Sequence, residues 1–95
     1  MGLPDQEEPA QTSSAVEAAA EAEDERRQLR RLQILISMVM SVIAQDPQMT
    51  VEEAAEMVAN ARRAALAMFP GKELAFDLIY KPRLERVMRE RFHLQ

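Results

Sequence analysis

The chain has 95 residues, room for one domain at most, and no cysteine, which excludes disulfides and thiolate metal sites. Two glycines, many alanines and no strand-like alternation favour an all-α class. The formal net charge of -4 is unevenly spread, because residues 1–25 carry eight acids and no base. Net charge alone therefore argues neither for nor against an anionic partner.

The first part of the chain is polar and acidic. Residues 1–14 contain two prolines and few apolar side chains, and we expect them to be disordered. Ser14 and Glu17 have the spacing of a capping box. Residues 15–28 are strong helix formers whose only large apolar side chain is Val16, so they predict a frayed helical extension. The basic head and apolar run of a secretory signal are missing from the first 25 residues, and we expect a cytoplasmic protein.

Four arginines precede the apolar centre of the chain, at positions 26, 27, 30 and 31. Basic residues beside an apolar segment suit a membrane surface or nucleic acid. The alternative, which we prefer, is that these arginines neutralise the acids one or two turns earlier, with Glu23 and Arg27 as an i,i+4 pair.

The stretch Leu29 to Ala44 is the most apolar of the chain. Fourteen residues, 32–45, carry no charge, and nine of them are Leu, Ile, Met or Val. The stretch is shorter than the about 20 residues of a membrane-spanning helix, and Ser37 and Ser41 interrupt it, so we expect no membrane span. As a helix it has a heptad seam on one face, with Ile34 and Met40 on the opposite side.

The apolar content exceeds what one small bundle can bury. Of the 66 residues from Leu29 to Leu94, 27 are Leu, Ile, Val, Met, Phe or Tyr. A surplus exposed as a patch is typical of a protein interface, and the economical solution is a homodimer through this helix. The predicted interface consists of Leu29, Leu32, Leu35, Ile36, Val39 and Ile43.

Residues that start and stop helices divide the remainder of the chain into segments. Asp46-Pro47 ends the first helix, and Thr50 with Glu53 forms a capping box for an alanine-rich second helix over about 51–68. Phe69-Pro70-Gly71-Lys72 predicts a turn. A third helix follows and breaks at Pro82, which suits the first turn of a last segment ending near Phe92. Residues 15–95 therefore predict a small helical bundle of three or four helices.

The sequence offers little chemistry. His93 is the only histidine and lies near the chain end, Ser37 and Ser41 have no base nearby, and Gly71-Lys72 lacks the remaining residues of a phosphate loop. Asp77, Lys81 and Arg83 lie around the break at Pro82. They could form a binding notch, but we prefer the interpretation that Asp77 and Lys81 form a salt bridge that stabilises the turn. We expect a non-catalytic protein without a cofactor or metal.

Two roles follow from this pattern. The first is a self-associating interaction or regulatory module, whose methionines would also suit a partner helix. The alternative is a nucleic-acid-binding protein. It would use the basic side chains of the last helix, Arg83, Arg86, Arg89 and Arg91. The segment 74–80 is too apolar for a recognition helix, so nucleic acid is the less favoured partner.

Overall fold

Helix-forming residues between local stop signals give four helices in the computed structural model. It describes the backbone of residues 3–93 and the side chains of residues 13–93. The helices are α1 (Leu3–Gln45), α2 (Val51–Met68), α3 (Glu73–Ile79) and α4 (Lys81–Phe92). No strand occurs within residues 3–93. The predicted all-α class is confirmed, and residues 3–93 form four helices.

The chain divides into two units, Met1–Arg30 and Arg31–Gln95, and α1 contributes residues to both. In the first unit, α1 begins at Leu3 rather than near Ser14. The predicted capping box is therefore wrong, because the amides around Ser14 lie inside a helix, where preceding carbonyls accept from them. The predicted disorder of residues 1–14 stays a prediction; Met1 and Gly2 lie outside the described residues.

Among residues 13–30, the side-chain ion pairs join near neighbours on the helix. Arg26 pairs with Glu23 at 3.0 Å, and Arg27 pairs with Asp24. Two of the four arginines, Arg26 and Arg27, thus bind acids of the preceding turn, as predicted, but at i,i+3 spacing rather than as the expected Glu23–Arg27 pair. Val16 is 60 % exposed, and no side chain of residues 13–30 is buried.

The core lies in the unit Arg31–Gln95 and draws on all four helices. Its buried residues are Leu32, Ile36, Val39, Ile43, Ala54, Ala61, Ala65, Phe76, Tyr80 and Leu84. Three of them, Ile36, Ile43 and Leu84, are the largest fully buried side chains. Burying a side chain of this size contributes about 1.5–3 kcal/mol relative to leaving it exposed. The alanines of α2 supply small side chains where that helix meets its neighbours.

The connection between α1 and α2 is fixed by local hydrogen bonds. The Asp46 carboxylate accepts from the Gln48 amide at 2.9 Å, a turn that stops α1. The Thr50 hydroxyl accepts from the Glu53 amide at 3.1 Å, and the Glu53 carboxylate accepts from the Thr50 amide at 2.9 Å. The predicted capping box is confirmed, and α2 has its predicted bounds.

Tight turns separate the last three helices. The Lys72 amide donates to the Phe69 carbonyl at 3.3 Å across Pro70 and Gly71. Gly71 has φ +78°, which a second central residue needs in a type II turn and which glycine adopts without strain. The predicted break before Pro82 is also confirmed, since α3 ends at Ile79 and α4 begins at Lys81.

Candidate protein interface

The two sides of α1 within the unit Arg31–Gln95 are both apolar, but only one is covered. Leu32, Ile36, Val39 and Ile43 form a buried seam that lies in the core. On the opposite side Ile34, Met38 and Val42 are 53 %, 60 % and 40 % exposed. These three side chains follow one another at steps of four residues, so they lie along one face of the helix. We call them the α1 stripe.

The predicted interface residues mostly serve the core. Leu32, Ile36, Val39 and Ile43 are covered by this chain's own helices and are closed to a second molecule. Leu35 is half-buried against the core, and Leu29 is 43 % exposed. The heptad seam that suggested an interface between copies is thus filled from within. An interface on α1 has to use the α1 stripe instead.

Sequence reasoning placed Ile34 on the side of α1 opposite the seam and gave that side no role. The sequence did indicate that this side faces solvent. By helical spacing, the stripe shares its face with three polar residues that are exposed, Arg31, Ser41 and Gln45. Polar residues in line with apolar ones mark a solvent-facing side, whereas the seam has none. The stripe is therefore an apolar strip on a partly polar face, as at many protein interfaces.

A second group of exposed apolar side chains lies on α3. Leu74, Leu78 and Ile79 are 72 %, 68 % and 51 % exposed, and we call them the α3 patch. The same two-turn helix buries Phe76, and Tyr80 follows it into the core with its ring centroid 5.6 Å from that of Phe76. Packing by the two aromatic rings leaves the aliphatic side chains facing solvent.

One ion pair holds α3 against α2. Arg62 donates from Nε to Asp77 Oδ1 at 3.0 Å and from Nη2 to Asp77 Oδ2 at 3.1 Å. This bidentate contact is the strongest geometry for an arginine and a carboxylate. Hydrogen bonding from Arg62 lowers the pKa of Asp77 against an opposing effect of desolvation. The same hydrogen bond raises the pKa of Arg62.

The ion pair replaces the predicted contact between Asp77 and Lys81, which is wrong. Lys81 instead lies 4.0 Å from Glu85, within α4. The guanidinium of Arg83 lies over the ring of Tyr80, 6.0 Å from its centroid. The polar residues around the break therefore stabilise helix contacts, and Tyr80 itself is buried.

The basic residues of α4 are largely occupied by neighbours. Arg86 pairs with Glu90 at 3.1 Å, and Arg89 approaches Glu85 at 4.0 Å. Arg91 donates to the Asp46 carbonyl at 3.0 Å and stacks on Phe92, 4.9 Å from the ring centroid. Of the four arginines predicted to bind anions, only Arg83 contacts neither a carboxylate nor a carbonyl within the described residues.

Two surface hollows contain no constellation of reactive groups. One, of about 280 Å³, is lined by Ala44, Val87, Glu90 and Arg91. The other, of about 310 Å³, is lined by Met49, Glu53, Glu56, Met57 and Asn60. Glu90 and Glu53 are already engaged, by Arg86 and by the Thr50 amide. Across the described residues, no three His, Cys, Asp or Glu side chains converge as ligands of a metal ion.

None of the helices in residues 3–93 combines the length and apolar character needed to cross a membrane. No protein-family model, curated protein or solved structure matches the chain. The α1 stripe and the α3 patch are therefore the features on which a functional argument depends.

Proposed function

We propose that this protein is a non-catalytic interaction module that associates with a second copy of itself through the α1 stripe. One observation carries the proposal: α1 is apolar on two sides, and the chain's own helices cover only one of them. Ile34, Met38 and Val42 stay 40 % to 60 % exposed on a helix whose opposite face is buried. Exposed apolar side chains in a row are typical of protein contact surfaces.

A second copy suits the stripe because the surface is regular and nearly uncharged. Between Arg31 and Asp46, α1 carries no charged residue. A helix face of this kind can pack against an identical face, as isologous dimers require. Three large side chains per copy are few for an interface of standard size, about 1,200–2,000 Å² in total. We therefore expect reversible, concentration-dependent association.

The α4 arginines support nucleic acid binding less well than the α1 stripe supports self-association. Ion pairs with Glu85 and Glu90 reduce the positive charge that Arg86 and Arg89 present to a phosphate backbone. Binding of duplex DNA would require affinity that falls steeply between 50 and 200 mM salt. Self-association through aliphatic side chains is expected to change little over that range, so salt separates the two roles.

The proposal is tested by measuring molar mass with light scattering over a range of concentrations. The native chain is expected to form a dimer, and Met38→Asp to remain a monomer, because its dimer interface would bury two carboxylates, one from each copy. Ile34→Ser tests the same stripe without introducing a charge. Circular dichroism should show native helix content for both variants, since these side chains are exposed in the single chain.

Leu78→Asp is the matched control. Leu78 is 68 % exposed, close to the 60 % of Met38, but belongs to the α3 patch. The Leu78→Asp variant should therefore still form the dimer. A monomeric native chain would refute self-association, and a dimer abolished by Leu78→Asp but not by Met38→Asp would move the interface to α3.

A further inference from the structure

We infer that the two copies pair with their α1 helices antiparallel, the two-fold axis passing beside Met38. This inference rests on the proposed self-association and adds its orientation and register. Ile34 and Val42 each lie four residues from Met38 on the same face. A two-fold rotation about Met38 therefore sets Ile34 against the partner's Val42 and Met38 against the partner's Met38. Every large side chain of the stripe gains an apolar neighbour.

The charges at the two ends of the stripe favour this orientation. Arg31 is exposed three residues before Ile34, and Gln45 is exposed three residues after Val42, just before Asp46. Antiparallel pairing about Met38 brings Arg31 to the partner's Gln45, within reach of the partner's Asp46. A parallel pair in register would place Arg31 beside the partner's Arg31, and the two positive charges would repel each other.

Both ends have hydrogen-bonding capacity left. Among residues 13–93, no carboxylate lies within ion-pair distance of Arg31. The Asp46 carboxylate uses Oδ1 for the Gln48 amide, and no donor of these residues reaches its other oxygen. The terminal carbonyls of α1 add partial negative charge at the same end. Arg91 of the same chain donates to the Asp46 carbonyl at this end, and Asp46 Oδ2 is the acceptor left for the partner's Arg31.

The absence of cysteine makes this register directly measurable. Ile34→Cys and Val42→Cys are each oxidised alone and as an equimolar mixture, and mass spectrometry identifies the disulfide-linked dimers. Antiparallel pairing predicts a mixed disulfide between the two variants as the main product. Gln33→Cys is the control, since Gln33 is exposed but lies about 100° around the helix from Ile34.

Each outcome decides the register. Efficient self-linkage of Ile34→Cys alone would indicate parallel pairing and overturn the inference. If Gln33→Cys formed disulfides in the same yield as the stripe variants, the linkage would reflect random collisions, and the inference would be overturned. It would also be overturned if no stripe variant formed a disulfide although light scattering showed a dimer. A native chain that is monomeric at every concentration refutes the proposed function itself, so the two failures are distinguishable.

Reversing the charge at Arg31 is an independent test, because the two orientations predict opposite changes in the dissociation constant. In the antiparallel dimer Arg31→Glu lies opposite the partner's Gln45 and within reach of its Asp46 carboxylate, and we expect the dissociation constant to rise about threefold to tenfold. In a parallel dimer the same change removes a repulsion and lowers the dissociation constant. Gln45→Lys, combined with Arg31→Glu, should restore affinity if the two positions face each other. Tighter binding by Arg31→Glu alone would overturn the inference.

Discussion

The buried seam and the exposed stripe of α1 are chemically alike and structurally opposite. Ile36 is 1 % exposed and Ile34, two residues earlier on the same helix, is 53 % exposed. Both are isoleucine in the same run of uncharged residues. The difference lies in what faces them: α2, α3 and α4 bring alanine, aromatic and aliphatic side chains to the seam and none to the stripe. An apolar helix face thus identifies a surface that needs covering, not the molecule that covers it.

The comparison also explains why four of the six predicted interface residues lie in the core. A heptad seam is what helices use to pack, within a chain or between chains. In a bundle whose helices are joined by short turns, the neighbours within the chain are the nearest candidates and fill that seam first. The polar-flanked stripe is the side of α1 that these helices leave exposed.

The largest expected effect comes from truncating the same residue type on the two faces. Ile36→Ala should lower the free energy of unfolding by about 2–5 kcal/mol, because it leaves a cavity in the core. Ile34→Ala should change it by less than about 0.5 kcal/mol. Urea unfolding of both variants in the Met38→Asp background measures these values without a contribution from dimer formation.

Equal losses for the two alanine variants would contradict the assignment of the faces. That result would mean that Ile34 is covered within the folded monomer. A loss at Ile34 that appears only without the Met38→Asp change, and grows with protein concentration, would instead support the α1 stripe as an interface.

A smaller effect is expected at the cap of α2, the alanine-rich helix that covers the seam. Thr50→Ala removes the hydroxyl that accepts from the Glu53 amide and should cost about 1 kcal/mol of stability. Thr50→Ser keeps the hydroxyl and should retain most of it. Thermal unfolding measures both, while the dissociation constant of the folded dimer should stay unchanged, since Thr50 is not part of the stripe.

Local signals account for what the sequence predicted correctly. Thr50 with Glu53 marked the start of α2, Pro70-Gly71 its end, and Pro82 the break between α3 and α4, because each acts on the backbone within a few residues. Features that join distant residues were missed. Arg62 and Asp77 are 15 positions apart, and the bond from Arg91 to Asp46 spans 45. Such pairs depend on how the helices pack, which spacing along the chain does not encode.

The smallest predicted effect concerns the pair that holds α3 to α2. Arg62 lowers the pKa of Asp77 in the folded protein, so the carboxylate contributes stability above the ordinary aspartate pKa of about 3.9. That contribution is lost as the pH falls through the lower, folded pKa. Asp77→Asn should therefore destabilise the chain at pH 7, and the difference from the native chain should shrink below about pH 4.

Partial exposure makes the effect modest. The side chains of Arg62 and Asp77 are 39 % and 34 % exposed, and solvent screens a pair of this kind. Glu90→Gln is the control, since its pair with Arg86 is more exposed, at 67 % and 76 %, and stays within α4. Urea unfolding of the three proteins from pH 3 to pH 7 tests the sign. A difference between Asp77→Asn and the native chain that grows towards acid would show that Arg62 does not favour the charged carboxylate. Because the pair joins two helices that cover the seam, its loss should weaken the core and leave the exposed stripe as it is.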